Sequence, residues 1–171
     1  MNALVPESRT HSMEPAGSER AVAPQQAGRH FEHPVRVYWE DTDAGGIVFY
    51  ANYLKFFERA RTEWLRALGH SQQEMVDTTG CMFVVQDTHV RYLKPARLDD
   101  LLSVTVALEH AGRAMMTIAQ QAWRSSPERG DELLAEGSIR IGCVNAGTFK
   151  PQRIPNAIAA SLDVGGANPQ E

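Results

Sequence analysis

The sequence has no apolar run near the roughly 18–20 residues needed to cross a bilayer, so no transmembrane segment is expected. Cysteine is scarce. Cys81 and Cys143 are the two thiols, without CxxC spacing, and they read as small buried side chains rather than a disulfide pair or metal site. Basic residues are not in excess: 17 Lys and Arg stand against 21 Asp and Glu, for a formal net charge of −4, which removes any global reason to expect nucleic-acid binding. No GxSxG elbow, GxGxxG fingerprint or P-loop occurs, so serine-hydrolase and nucleotide-cofactor chemistry lack support. The first thirty residues hold no apolar h-region of a secretory signal, and the expected compartment is the cytoplasm.

What is present is ordinary for a globular chain. Its 171 residues are 43% hydrophobic and 22% charged, enough for one domain with a real core. Residues 1–32 are rich in Ala, Pro, Ser, Gln, Glu and Arg without a lasting period, which predicts a disordered extension; residues 163–171 form a second polar tail. The domain is placed at 33–162. His30 and His33 resemble half a metal site, but zinc wants three or four ligands, and no metal is expected.

Val35, Val37 and Trp39 alternate with Arg36, Tyr38 and Glu40, which predicts a strand. Asn52 is read as an N-cap, followed by Tyr53, Phe56, Phe57, Ala60, Trp64, Ala67 and Leu68 at helical spacing and by Gly69 as the stop. A short helix over about 71–78 comes next, with Ser71 as cap and Gly80 after it. Strands are expected at 82–93, 101–109, 114–124 and 132–144, separated by turn chemistry suited to antiparallel hairpins. The class is α+β: an antiparallel five-stranded sheet curling around one long buried helix.

The chemistry concentrates in Asp43-Ala44-Gly45-Gly46, just ahead of that helix. Asp41 and Asp43 taken alone are turn formers. A helix N-terminus offers unsatisfied N–H groups and positive dipole character, which polarise a carbonyl and stabilise an oxyanion. Gly45 and Gly46 let backbone approach a ligand, with Val48 beside them, and a carboxylate there acts as nucleophile or general base.

The segment EDTDAGGIVFYANYLKFFERARTEWLRALG resembles the signature of the YbgC-type acyl-CoA thioesterases, the hotdog-fold group related to 4-hydroxybenzoyl-CoA thioesterase. RYLKPARLDDLLSV, at 91–104, is similar to a second stretch of theirs, and the resemblance covers roughly 34–150. It implies a hotdog fold and hydrolysis of short-chain or aromatic acyl-CoA to free acid and coenzyme A. It also implies homodimers or homotetramers with active sites between subunits. No cofactor is implied beyond the coenzyme A of the substrate. Asp43, not Asp41, takes the place of the catalytic carboxylate, and Tyr50 the place of the backbone N–H that holds the thioester carbonyl. Many YbgC-type proteins have His at the position of Tyr50, whereas the hydroxybenzoyl group commonly has an aromatic residue; the backbone N–H survives either change.

Rival readings stand beside these. A helix glutamate is catalytic in another hotdog group, which makes Glu58 a competitor; the favoured reading of Glu58 is a carboxylate paired with flanking arginines. Arg91, Lys94 and Arg97 either meet the phosphates of coenzyme A or are neutralised by Asp99 and Asp100. His89 is read as a strand-surface residue. A hotdog dehydratase lacks its His-containing motif here. The functional alternative is a binding module for acyl-carrier protein or for the Tol–Pal envelope system, to which the resemblance also points.

Overall fold

The computed structural model describes residues 30–125 and 130–162. Strand β1 runs His30–Arg36, followed by a 3-10 turn at Trp39–Asp41. Helix α1 spans Asn52–Ala67 and α2 spans Gln72–Thr79. Strands β2 (Cys81–Tyr92), β3 (Leu101–Ala111), β4 (Met115–Arg124) and β5 (Glu132–Asn145) come next, and α3 (Asn156–Ser161) closes the described chain. All pairings are antiparallel, in the order β1-β3-β4-β5-β2, with α1 packed across β3, β1 and β4. This is the helix-in-sheet layout of the hotdog expectation.

Helix α1 forms because its apolar residues recur every three to four positions. Tyr53, Phe56, Phe57, Ala60 and Trp64 make one buried stripe, and each large side chain contributes on the order of 1.5–3 kcal/mol of burial. Leu65 widens the stripe, whereas Leu54 stays exposed. The helix stops at Gly69, whose φ of +86° suits glycine; His70 N–H bonds to Leu65 O at 3.0 Å and Gly69 N–H to Arg66 O at 2.9 Å, closing the end. In α2 the expected cap is present, with Ser71 Oγ accepting from Glu74 N–H at 3.1 Å and Gly80 in the left-handed region at φ 65°.

Several details differ from expectation. β1 starts at His30, inside the segment read as an extension, and buries Phe31 against β3. The rest of the two tails lies outside the described residues. β1 ends at Arg36, so Trp39 leaves the alternation and is 79% exposed, because the chain tightens into the 3-10 turn. Asn52 is the first residue of α1 rather than its cap. Its side chain faces backward, donating through Nδ2 to Asp41 O at 3.0 Å.

The β2–β3 connection braces the approach to α1. Ala96 is fully buried; its N–H donates to the Tyr53 hydroxyl at 3.1 Å and its carbonyl accepts from Val48 N–H at 2.9 Å. Arg97 forms an isolated bridge with Ile47. The segment before α1 is thereby held between the helix and this loop.

Candidate active site

Asp43 sits at the head of a tight loop. Its N–H donates to Ile47 O at 2.9 Å, its carbonyl accepts from Gly46 N–H at 3.0 Å, and Oδ1 accepts from Gly45 N–H at 2.8 Å. Thr42 and Val48 bridge beneath the loop. Gly46 has φ +70°, a conformation that glycine adopts without strain, and nothing lies within 4 Å of where its side chain would be. Asp43 is solvent-exposed, so its second carboxylate oxygen is open to a water or substrate. Asp41 is different: it is buried, and Oδ2 accepts from Tyr38 N–H at 2.9 Å. Its carboxylate is spent on closing the 3-10 turn, which makes it a structural residue.

Tyr50 follows the loop directly before α1. Among the described residues neither its backbone N–H nor that of Ala51 has an acceptor, while the flanking groups are occupied: Phe49 N–H bonds to Asp41 O at 2.9 Å and Asn52 N–H to Phe49 O at 2.8 Å. A free donor at the positive end of a sixteen-residue helix has the electrostatic character that suits an oxyanion. The Tyr50 ring packs on Phe49, with centroids 4.6 Å apart, and edge-on toward Tyr92 at 6.0 Å. Tyr53 continues this cluster, 5.6 Å from Tyr92; burial is the main reason that its phenol and that of Tyr92 have raised pKa values.

The other expected site residues divide. Gly45 and Gly46 lie in the loop beside Asp43, whereas Val48 is buried in the core and serves as an anchor of the loop rather than as an open wall. Arg91 pairs with Glu136 at 3.1 Å and Lys94 with Glu132 at 2.6 Å, so the neutralising carboxylates come from β5, not from Asp99 or Asp100. Asp100 is taken by Arg124 at 2.8 Å, and Arg124 also contacts Glu132. Arg97 is exposed and has no ion pair among the described residues; it remains a cation beside the Asp43 loop. β1 sends His30 and His33 to opposite faces, because strand side chains alternate, so the two do not converge on a metal. His89 lies exposed on β2, as expected.

Among the described residues Glu58 makes no ion pair with the flanking arginines. Its Oε1 accepts from Thr62 Oγ1 at 2.7 Å instead. It lines a cleft of about 120 Å³ between the C-terminal half of α1 and the sheet, walled by Phe83, Met116, Ile118 and Ile141, with Arg61 on the same lining. The cleft includes neither Asp43 nor Tyr50. Arg61 Nη1 donates to Gln120 Oε1 at 2.6 Å, and the fully buried Gln120 is fixed by donating from Nε2 to Phe57 O at 3.0 Å. Burial lowers the Arg61 pKa, against an opposing effect of Glu58. Sequence reading misses this pair. Its one signal is Gln120 itself, a polar residue in the inward register of β4 between Ile118 and Ala122.

Comparison with known proteins gives one direction. The Thioesterase superfamily (4HBT) matches residues 45–139. The Acyl-CoA thioesterase YbgC of Haemophilus influenzae is 40% identical over 132 residues, covering 77% of this chain and 93% of its own. The Acyl-CoA thioester hydrolase YbgC of Escherichia coli is 39% identical over 132 residues, covering 77% and 95%. Among solved structures, a probable thioesterase from Bartonella henselae superposes with a TM-score of 0.68 at 29% identity, covering 74% of this chain and 99% of that one. A 4-hydroxybenzoyl-CoA thioesterase bound to 4-hydroxybenzoyl-CoA shares the fold, with a TM-score of 0.72 at 17% identity, covering 78% and 99%.

Proposed function

The chain belongs to the thioesterase superfamily and is an acyl-CoA thioester hydrolase, and from that premise we propose that Asp43 is its catalytic carboxylate. The observation that carries this reading is the pairing of an exposed, loop-held carboxylate with the unmet Tyr50 N–H at the start of α1. The thioester carbonyl oxygen lies against Tyr50 N–H, where the helix dipole offsets the growing negative charge. Asp43 takes a proton from water as the water oxygen bonds to the carbonyl carbon. The tetrahedral intermediate collapses, the C–S bond breaks with its electron pair going to sulfur, and the proton passes to the thiolate. Direct attack by Asp43 would give an anhydride that water then opens, with the same products.

The substrates proposed are short-chain or aromatic acyl-CoAs, since the aromatic cluster of Phe49, Tyr50 and Tyr92 borders the loop. Arg97, adjacent to the loop and without an ion pair among the described residues, is the basic residue best placed for a coenzyme A phosphate. The protein works as a homodimer or a pair of homodimers, its sites shared between copies. The test is hydrolysis of graded acyl-CoAs by the wild type and by Asp43→Asn. A loss of kcat on the order of a hundredfold or more is expected, with folding unchanged because Asp43 is exposed. Full activity in a folded Asp43→Asn oligomer would refute the assignment.

A further inference from the structure

Resting on that hydrolase reading, we propose that Arg61 is a specificity-determining residue that meets an oxygen on the acyl group held at the Asp43 loop of a second copy. The cleft and the loop lie at different ends of one chain. About 14 Å of helical rise separates Asn52 from Arg61, and Phe83 lies roughly 30 Å of strand away from Tyr92, the residue packed near Tyr50. Neither Asp43 nor Tyr50 lines the cleft that holds Arg61, which points to the loop of a second copy as the one it serves.

A second copy removes that gap. β2 ends the sheet order, so one side of this twelve-residue strand has no neighbour among the described residues, and Val85 through His89 are all exposed. Strands with bare edges pair with copies of themselves, and a two-fold axis makes that pairing antiparallel. An axis through the middle of the exposed run sets Phe83 of one copy opposite Arg91 and Tyr92 of the other. The cleft of one copy then faces the loop of the other.

The chemistry at Arg61 suits an acceptor. One edge of its guanidinium is locked onto Gln120, and no carboxylate lies within ion-pair distance among the described residues. Glu58, the other charged group of the cleft, accepts from Thr62 and acts on Arg61 only through its charge, beyond ion-pair distance. Among the described residues no buried side-chain nitrogen or oxygen is left unpartnered, so any guanidinium N–H not bonded to Gln120 is accessible, and Arg61 is one of the residues that line the cleft. Around them the walls are apolar: Phe83, Met116, Ile118 and Ile141. An acyl group with a distal keto or carboxylate oxygen fits both features, its carbon chain on the walls and its oxygen on a fixed, permanently charged fork.

The experiment compares three five-carbon substrates: pentanoyl-CoA, 4-oxopentanoyl-CoA and glutaryl-CoA. The wild type is expected to favour one or both oxygenated substrates over pentanoyl-CoA in kcat/KM, and the arm that wins separates a neutral acceptor from an anionic one. Arg61→Gln should lower that preference tenfold or more, mainly through KM, with partial recovery in Arg61→Lys. Wild-type hydrolysis without preference for either oxygenated substrate overturns the proposal and leaves the hydrolase reading standing. No hydrolysis of any thioester overturns both. Co-expression of Asp43→Asn with Arg61→Gln tests the second copy separately on the favoured substrate. Mixed dimers contain one intact composite site, restoring about a quarter of wild-type sites for a two-fold assembly. No restoration would overturn the shared site.

Discussion

Asn52 reaches back over the loop to Asp41: its Nδ2 donates to the Asp41 carbonyl at 3.0 Å, the same oxygen that receives Phe49 N–H at 2.9 Å. The first residue of α1 thus fixes the two ends of the segment carrying Asp43. Asn52→Ala should reduce stability by about 1 kcal/mol, the net worth of one such bond. It should also lower kcat more than it raises KM, because the loop loses its tie to the helix. Asn52→Asp, similar in size but with an acceptor in place of the amide donor, should lower kcat in the same way and cost more stability, because it buries a carboxylate against the Asp41 carbonyl. Denaturant unfolding and steady-state kinetics on all three proteins check this; a normal kcat in both variants would show that the tie is dispensable.

The two loop glycines should fail differently. An added Cβ at Gly45 would lie 3.1 Å from Asp43 Oδ1, so Gly45→Ala displaces the carboxylate and should lower kcat with little change in stability. Gly46 meets nothing within 4 Å but has φ +70°, so Gly46→Ala should reduce stability by about 1–2 kcal/mol. Kinetics and thermal unfolding of the two variants distinguish a displaced group from a strained backbone.

Cys143 and Cys81 both direct their thiols toward Arg153 O, at 3.8 and 3.9 Å. Burial, and then the neighbouring Cys81 thiol, push the Cys143 pKa up from 9.0 to about 12. The native state therefore holds this proton more tightly than the unfolded chain. Its contribution to stability is complete below the ordinary thiol pKa and is lost as pH rises from about 9 toward 12. Denaturation midpoints should fall over that window, with a shallower slope in Cys143→Ala. Maleimide should leave both buried thiols of the native protein unlabelled at pH 8; rapid labelling under native conditions would contradict the placement.

Gly137 lets β5 pass close beneath α1. A Cβ there would lie 3.0 Å from His89 O and 3.2 Å from both Phe57 Cε2 and Val90 Cγ2. Gly137→Ala should destabilise by about 1–3 kcal/mol through overpacking against backbone and core. Gly142→Ala is the control. Its Cβ would meet Gln86 Nε2 at 2.8 Å, the end of an exposed, flexible side chain that can swing away. Chemical denaturation of the pair should show Gly137→Ala as clearly the less stable.

The elements are legible in the sequence because their signals are local. The β2 to β5 ranges come from alternation and turn residues to within two positions, and α2 from Ser71 and Gly80. The start of α1 differs in kind: Asn52 has the composition of a cap, but its amide finds a tertiary acceptor on Asp41. Trp39 continues an alternating pattern that the 3-10 turn has already ended. The loop around Asp43 can be found from its residues, but that the N–H of Tyr50 has no acceptor among the described residues cannot, since it depends on which carbonyls the flanking groups take. The ion pairs are the hardest to anticipate. Glu132 and Glu136 are far in sequence from Lys94 and Arg91, and only the β2–β5 register brings them together.

Helix α1 begins at the Asp43 loop and forms one side of the cleft some three turns later. A change at Met116 or Ile118 reshapes the cleft without touching any hydrogen bond of the loop. On the assignments proposed above, bond-breaking and acyl choice are separable traits carried by one rigid rod. Such a scaffold can exchange one thioester for another over generations by small core substitutions, while its reaction chemistry is inherited intact.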